Sequence, residues 1–460
     1  MTASQETASQ ESEPEPAPQQ GRPGRKDLRN PRYLLHRFWI GVRRTTAVSV
    51  PEERNERLLY MDMVFQALLG AGPMSFVAVY LVRLQAADWV VGLESSLPAL
   101  LTLIAILPAG AFVQGRRDLV RLATRSRMLF RGAVALMALA AFFPPHIAVF
   151  IVVVLHGLTA IPGSVLNVAL TTIIGQATTV QRRPAMLSTR WAVHGVFAAA
   201  IGFAAGQWLD RAPFPLNYQV LFASAILAGA GSWAVLSRLR LKEQPQATAR
   251  PASHGIDIKK MAALVISTVG FRNFVIAEFV LRLGTFLPTA LFSIYKVREL
   301  GSSDAWLGTL LTVERLLSVV AYVLLSRYGS RPQVRRYLWV GCIGVGLYPI
   351  TMALAQTTGM LLLSAVVAGI FFPAMNIFLS DTLYAVSPEE HRPTFIASNS
   401  FVMNVTAFVG PMLGTWLSAL IGIRLALVVA TVIRLLGALA LWQLGVTGRQ
   451  RKGAVKHSVA

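Results

Sequence analysis

Acid is scarce in this chain. Aspartate and glutamate supply 22 of its 460 residues, against 43 lysines and arginines. Charged residues of both signs amount to 14%, where a soluble domain carries about 25%. A string of soluble domains is excluded on that ground. The single cysteine, Cys342, excludes an internal disulfide and a cysteine metal cluster. There is no phosphate-binding loop, no zinc-ligand spacing and no nucleophile elbow. Gly229-Ala230-Gly231-Ser232-Trp233-Ala234 imitates a dinucleotide fingerprint, but it lies in an apolar run with no strand before it. No catalytic residue, cofactor or metal is therefore expected, and ATP bound within the chain is not expected to supply energy. Residues 1–30 lack the apolar stretch of a cleavable signal peptide.

What the chain has is apolar length. Hydrophobic residues make up 54% of it, and mean hydropathy is +0.54. A membrane-spanning helix needs about 20 mostly apolar residues. Twelve such runs can be placed, near 58–82, 89–113, 127–144, 147–175, 186–209, 217–238, 271–295, 304–327, 336–356, 359–383, 394–418 and 420–445. The fourth is predicted to bend at Pro162-Gly163. The net charge of +21 collects between the runs. Arg116, Arg117, Arg121, Arg125 and Arg127 follow span 2, Arg182 and Arg183 follow span 4, and Arg331, Arg335 and Arg336 follow span 8. Alternate loops are nearly uncharged or mixed, as in Pro144-Pro145-His146, Asp210-Arg211 and Gln356-Thr357-Thr358. Such clusters follow membrane topology, so nucleic acid is not an expected partner and the lipid bilayer is. The positive-inside rule puts both termini in the cytoplasm of a multi-pass protein of the cell membrane. The expected division is a disordered basic tail at 1–55, a six-helix bundle at 56–239, a cytoplasmic linker at 240–265, a second bundle at 266–445 and a basic tail at 446–460.

The two bundles repeat one another. Gly202-x-x-x-Gly206-x-Trp208-Leu209 recurs as Gly410-x-x-x-Gly414-x-Trp416-Leu417, at an offset of 208 (410 − 202). Tyr80-Leu81-Val82-Arg83 recurs as Tyr295-Lys296-Val297-Arg298, and Asp88…Gly92 as Asp304…Gly308. Parallel repeats of this kind, related about the membrane normal, are a transporter architecture. The expected fold is an all-α integral membrane protein of twelve transmembrane helices in two six-helix pseudo-symmetric bundles.

Six-plus-six spans, a central linker and basic loops after spans 2 and 8 resemble the major facilitator superfamily, over about residues 55–445. That family's loop after span 2 typically reads Gly-x-x-x-Asp-Arg-x-Gly-Arg-Arg. Here Gly110-Ala111-Phe112-Val113-Gln114-Gly115-Arg116-Arg117 keeps the arginines and has Gln114 in place of the acid. The resemblance implies an inner-gate role for Arg116 and Arg117. It also places spans 1, 4, 7 and 10 around a central cavity, which makes Gln66, Asn167 and Asn376 candidate substrate contacts. Gly410-Pro411-Met412-Leu413-Gly414 in span 11 resembles an element that the family's antiporters carry in span 5.

Each ionisable group inside a span costs about 2.5–3.5 kcal/mol on insertion scales, so it asks for a partner or a task. Glu278 and Arg282 share a face of span 7, and Glu314 and Arg315 lie in span 8. Glu278, Arg282 and Glu314 are expected to form one cluster near the midplane, where a carboxylate exchanges a proton or holds a cationic group, and Arg315 is a further substrate or coupling-ion candidate. The alternative is an ion-pair network that fixes span 7 against span 8. Asp62 matches Glu278 in the repeat and is read as a coupling or gate residue, or as the partner of an arginine. Asp381 and Arg327 are read as an inner-gate pair. Glu94 is read as interfacial, and Tyr80 and Tyr295 as interface anchors. Gly202, Gly206, Gly410 and Gly414 are expected to let helices pack closely where the halves meet.

The function expected is that of a monomeric secondary active transporter. It moves a small-molecule solute by alternating access, with proton-coupled efflux as the finer expectation. A transporter-like scaffold or sensor that moves nothing, and a polytopic lipid-modifying enzyme, are the alternatives.

Overall fold

The computed structural model describes residues 51–114, 116, 118–179, 182–241, 266–328 and 339–443. Residues 1–50 of the expected N-terminal tail, the expected C-terminal tail and most of the expected linker lie outside the described residues, whereas residues 51–55, expected in the disordered tail, are the first turn of a helix. Every regular element among those described is helical, and together they make twelve rods.

In the first half, α1 comprises Pro51–Ala71 and Val77–Arg83, joined by a 3-10 turn at Pro73–Phe76. Then come α2 (Asp88–Gln114) and α3 (Leu119–Leu136, prolonged by the 3-10 turn Met137–Phe142). Next are α4 (Pro145–Leu158 and Ala160–Ala177), α5 (Arg183–Arg211) and α6 (Leu216–Leu236). In the second half, α7 comprises Val269–Phe286, Thr289–Ile294 and the π turn Tyr295–Glu299. It is followed by α8 (Asp304–Tyr328), α9 (Val340–Ala353), α10 (Leu361–Val386), α11 (Arg392–Ile421) and α12 (Ile423–Gln443).

Ten of the rods are long and apolar enough by themselves to cross a bilayer. The other two depart for different reasons. α9 is short among the described residues, which resume only at Trp339. α3 is long enough but carries Arg121, Arg125, Arg127 and Arg131. It starts eight residues before the expected edge of span 3, so Arg121, Arg125 and Arg127 belong to a helix and not to the loop after span 2. A helix can hold these charges because Arg127 and Arg131 turn inward and are bonded there.

Prolines set the interruptions. Pro73 in α1 and Pro288 in α7 stand at the repeat offset of 215 (288 − 73), and each follows a break in its rod. A proline lacks the N–H that would bond four residues back, and its ring clashes with that carbonyl. In α4 the regular helix breaks at Thr159, not at Pro162-Gly163. The carbonyl four residues before Pro162 is that of Leu158, so the disturbance falls ahead of the ring. α11 and α12 part at Gly422, whose φ of +84° suits a residue without a Cβ.

The halves meet through α5 along α8 and α2 along α11. Their apolar packing differs between the two ends of the bundle. At the end that carries the 83–88 turn, one continuous core draws residues from both halves, including Tyr80, Val82 and Leu209 with Ile294, Tyr295 and Leu307. At the end that carries Arg116, the first half has its own core around Leu59, Ala169 and Met186. The second half has a separate one there, around Phe274, Cys342 and Phe378. Among the described residues, the buried apolar packing is shared by the halves at the loop-83 end and separate in each half at the loop-116 end.

Candidate functional site

Two ion pairs tie the loop-83 end, and they cross. Arg83 at the end of α1 donates from Nη2 to Asp304 Oδ1 of α8 at 3.1 Å and to the Ser302 carbonyl at 2.7 Å. Arg298 at the end of α7 bonds the carboxylate of Asp88 on α2 and donates to the Ala86 carbonyl at 2.9 Å. Arg83 and Arg298 are repeat partners, as are Asp88 and Asp304. Each half thus gives its arginine to the other half's aspartate. Asp304 is nearly buried, and its second oxygen accepts from Tyr218 at 3.0 Å. Tyr80 and Tyr295, expected at the lipid interface, are instead buried beside these pairs. Tyr80 stacks among Phe214, Tyr218 and Phe222, and the Tyr295 hydroxyl donates to the Ala355 carbonyl at 2.7 Å. The turns here are short and the halves are drawn together, so the rings meet protein before lipid.

Beneath the clamp lies a cavity of ≈ 150 Å³. The parts of α1 and α7 that follow the two proline breaks contribute Ser75, Phe76 and Val79, and Ser293 and Lys296. α8 adds Glu314, α9 adds Tyr348 and α10 adds Ser364. Interrupted helices at corresponding positions of two repeats are where transporters tend to build their sites. Lys296 Nζ lies 3.5 Å from the Tyr348 hydroxyl. The sequence signal for this site was the Pro73/Pro288 pair, which the repeat anchors bracket.

The expected midplane cluster is not one cluster. Arg282 Nε donates to Glu278 Oε1 at 3.2 Å within α7. Asn399 of α11 lies beside that carboxylate. Glu278 Oε2 and Asn399 Oδ1 are both buried without a hydrogen-bond donor. Glu314 stands apart from this pair and lines the cavity, because it projects from α8 nearer the loop-83 end. Arg315 neighbours His194 of α5.

Asp62 is fully buried and bonds both Arg127 of α3 and Ser232 of α6. Arg131 bonds the Ala228 carbonyl and donates to Gln66 Oε1 at 3.2 Å. Arg190 of α5 is buried with its Nη2 3.4 Å from Met63 Sδ. Glu94, expected at the interface, is buried in a 2.6 Å contact with His156 Nδ1 of α4. Asp62, Arg127, Arg131 and Glu94 are held inside by partners on neighbouring helices. A fully buried arginine also marks the second half. Arg434 of α12 donates to the carbonyls of Gly284, Val345 and Thr285 at 2.9, 2.8 and 3.2 Å. Buried groups of this type are held by carbonyl geometry that single positions do not announce.

Asn167 is exposed on α4, Asn376 is half-buried on α10 and Asp381 is exposed near the loop-116 end of α10. Arg116 is exposed and lies 4.4 Å over the Phe112 ring. Arg117 and the side chain of Arg327 lie outside the described residues. Gly202 and Gly206 pack between the halves, against Leu311 and Gly308 of α8. Gly410 and Gly414 do not; they approach Phe286 and Leu287 of α7 in their own half. The break at Pro288 brings that backbone to α11. The matching contact between α2 and α11 is made by Gly92, against Thr415 and Pro411.

The sequence model of the Major Facilitator Superfamily matches residues 58–385 and, again, 274–458. The chain belongs to that superfamily. It is a membrane transporter by that membership. The doubled match agrees with a superfamily fold built from two like halves.

Solved superfamily-type transporters share the fold at low identity. A mutant form of the nucleoside transporter NupG is 14% identical with a TM-score of 0.62, covering 85% of this chain and 100% of its own. The inward open conformation of the xylose transporter XylE from E. coli is 13% identical with a TM-score of 0.61, covering 85% and 94%. The human organic anion transporter MFSD10 is 12% identical with a TM-score of 0.62, covering 85% and 100%. No curated protein sequence matches the chain. Nucleoside, sugar and organic anion ride on one fold, so the cargo has to be argued from the cavity.

Proposed function

We propose that this superfamily member is a secondary active transporter that works by alternating access, its two halves rocking about the cavity. The carrying observation is the unequal packing of its ends, with one shared core and two crossed ion pairs at the loop-83 end and separate cores at the loop-116 end. The arginine-rich loops orient the loop-116 end toward the cytoplasm. In this reading the clamp is the outer gate, and the state described opens inward. Glu278 is the proton carrier. Its second carboxylate oxygen is buried beside Asn399 without a hydrogen-bond partner, so a proton taken up there removes an incompletely compensated charge. Export follows the Gly410-Pro411 element.

Spin labels at Ala87 and Ser303 span the outer turns, and labels at Thr179 and Tyr384 span the other end. Pulsed electron resonance in liposomes should show the first distance lengthening as the second shortens when the proton gradient is reversed. Two distances that stay fixed under every gradient would sink the transporter cycle and favour the scaffold.

A further inference from the structure

The cavity beneath the clamp holds two unlike charges without charged partners. The Glu314 carboxylate has neither an ion pair nor a hydrogen bond among the described residues, and Lys296 has only the Tyr348 hydroxyl at 3.5 Å. The two do not bridge each other. Glu314, ten residues into α8, is the costlier of the two to leave without a partner. A third group is also idle: Ser364 is 1% exposed, lines the same cavity, and its Oγ has no partner. The other hydroxyls on the wall are those of Ser75 and Ser293. The remaining surface is largely apolar, from residues such as Phe76, Val79 and Leu310.

The charges are stacked along the membrane normal. Lys296 lies in the terminal π turn of α7, next to the clamp. Glu314 lies ten residues into α8, about 15 Å below its start. A cation alone would neutralise Glu314 and set a second positive charge before Lys296. An anion alone would do the reverse. A solute that carries both charges leaves neither side chain uncompensated. At ≈ 150 Å³, the space is smaller than the roughly 300–1,000 Å³ of pockets for drug-sized ligands.

We propose that this cavity binds a small zwitterion, with its anionic group toward Lys296 and Tyr348 and its ammonium toward Glu314. Ser364 supplies a hydrogen bond between the two. The assignment deepens the transporter reading and rests on it for its meaning. Binding can nevertheless be measured without flux, so the two can fail separately.

The test is calorimetric titration of the whole chain in nanodiscs with defined probes. L-alanine, γ-aminobutyrate and dialanine serve as zwitterions of increasing charge separation. Alaninamide is the cation-only probe and propionate the anion-only probe. At least one zwitterion should bind, and it should bind at least about tenfold more tightly than either single-charge probe. Glu314→Gln and Lys296→Gln should each weaken that binding by a similar factor, and Glu314→Gln should bring propionate up toward the zwitterion. Neither substitution removes an ion pair, so unliganded unfolding temperatures should match the parent and serve as the folding control. Propionate or alaninamide binding as tightly as every zwitterion would overturn the proposal. So would zwitterion binding that survives both substitutions, or a series in which no zwitterion binds. Zwitterion binding in a protein whose spin-label distances never change would leave this site standing and remove the transport cycle.

Discussion

A Cβ built on Gly206 would lie 2.9 Å from the Cα of Gly308, and one built on Gly308 would lie 2.9 Å from the Cα of Gly206. The two glycines are where α5 and α8, one from each half, come closest to sharing backbone surface. The new Cβ of Gly308→Ala would also stand 2.5 Å from the Gly202 carbonyl oxygen, which cannot swing aside. The substitution should cost about 1–3 kcal/mol, in the range of overpacked cores. Gly202→Ala meets only the flexible end of Leu311 and should cost less. Gly132→Ala, with nothing within 4 Å, should leave the unfolding temperature unchanged. Thermal unfolding in detergent ranks the three.

The crossed pairs differ in exposure, and that orders their effects. Asp304 has a side-chain exposure of 7%, whereas Arg298 and Asp88 stand at 34% and 36%. Water and salt screen the second pair more. Asp304→Asn should open the outer turns more than Asp88→Asn, read as a longer Ala87–Ser303 label distance. Exchanging Arg298→Asp with Asp88→Arg should restore the parent distance. Failure of that exchange would mean that the pair does not hold the turns.

In the first half, Arg127→Met removes the ion-pair partner of the Asp62 carboxylate, which is at 0% exposure, and leaves it the Ser232 hydroxyl and the nearby charges of Arg131 and Arg190. Breaking a buried pair from one side costs about 3–5 kcal/mol. The double change Asp62→Leu with Arg127→Met removes both charges and should recover most of that loss. Denaturant unfolding of the three proteins checks it. A double variant no more stable than Arg127→Met would point to a burden beyond the lone charge.

For the proton, Glu278→Gln keeps the shape of the side chain and removes the titrating group. It should abolish acid-driven movement of the label distances while leaving zwitterion binding at Glu314 within about twofold. Unaltered acid response in that variant would move the coupling site elsewhere. The Glu94–His156 contact would then be the next buried carboxylate to test.

The rods are legible because hydrophobic length is a property of a whole segment, and most of their described edges lie within a few residues of the expected ones. The edge of α3 is not legible, because Arg127 reads as a loop residue until Asp62 of α1 is beside it. The clamp was half legible. Arg83, Asp88, Arg298 and Asp304 were all visible as repeat anchors, but repetition tells which residues match and not which residues touch. Glu278 with Arg282 could be read from a spacing of four along one helix. The separation of Glu314 from them could not, since it depends on which way α8 faces. Arg131 and Arg434 could not be read at all, because carbonyl acceptors have no letter of their own in a sequence.

The crossed pairs also bear on where the chain came from. Every half contains one arginine and one aspartate of the clamp, and each finds its counterpart only in the other half. Two copies of a single ancestral half, arranged as a symmetric dimer, would already have met through two identical Arg–Asp bonds. Fusing the genes then required a linker but no invention at the outer turns. The later divergence could fall on the cavity, where Lys296 and Glu314 match Leu81 and Pro98 of the first half and have no ionisable twins.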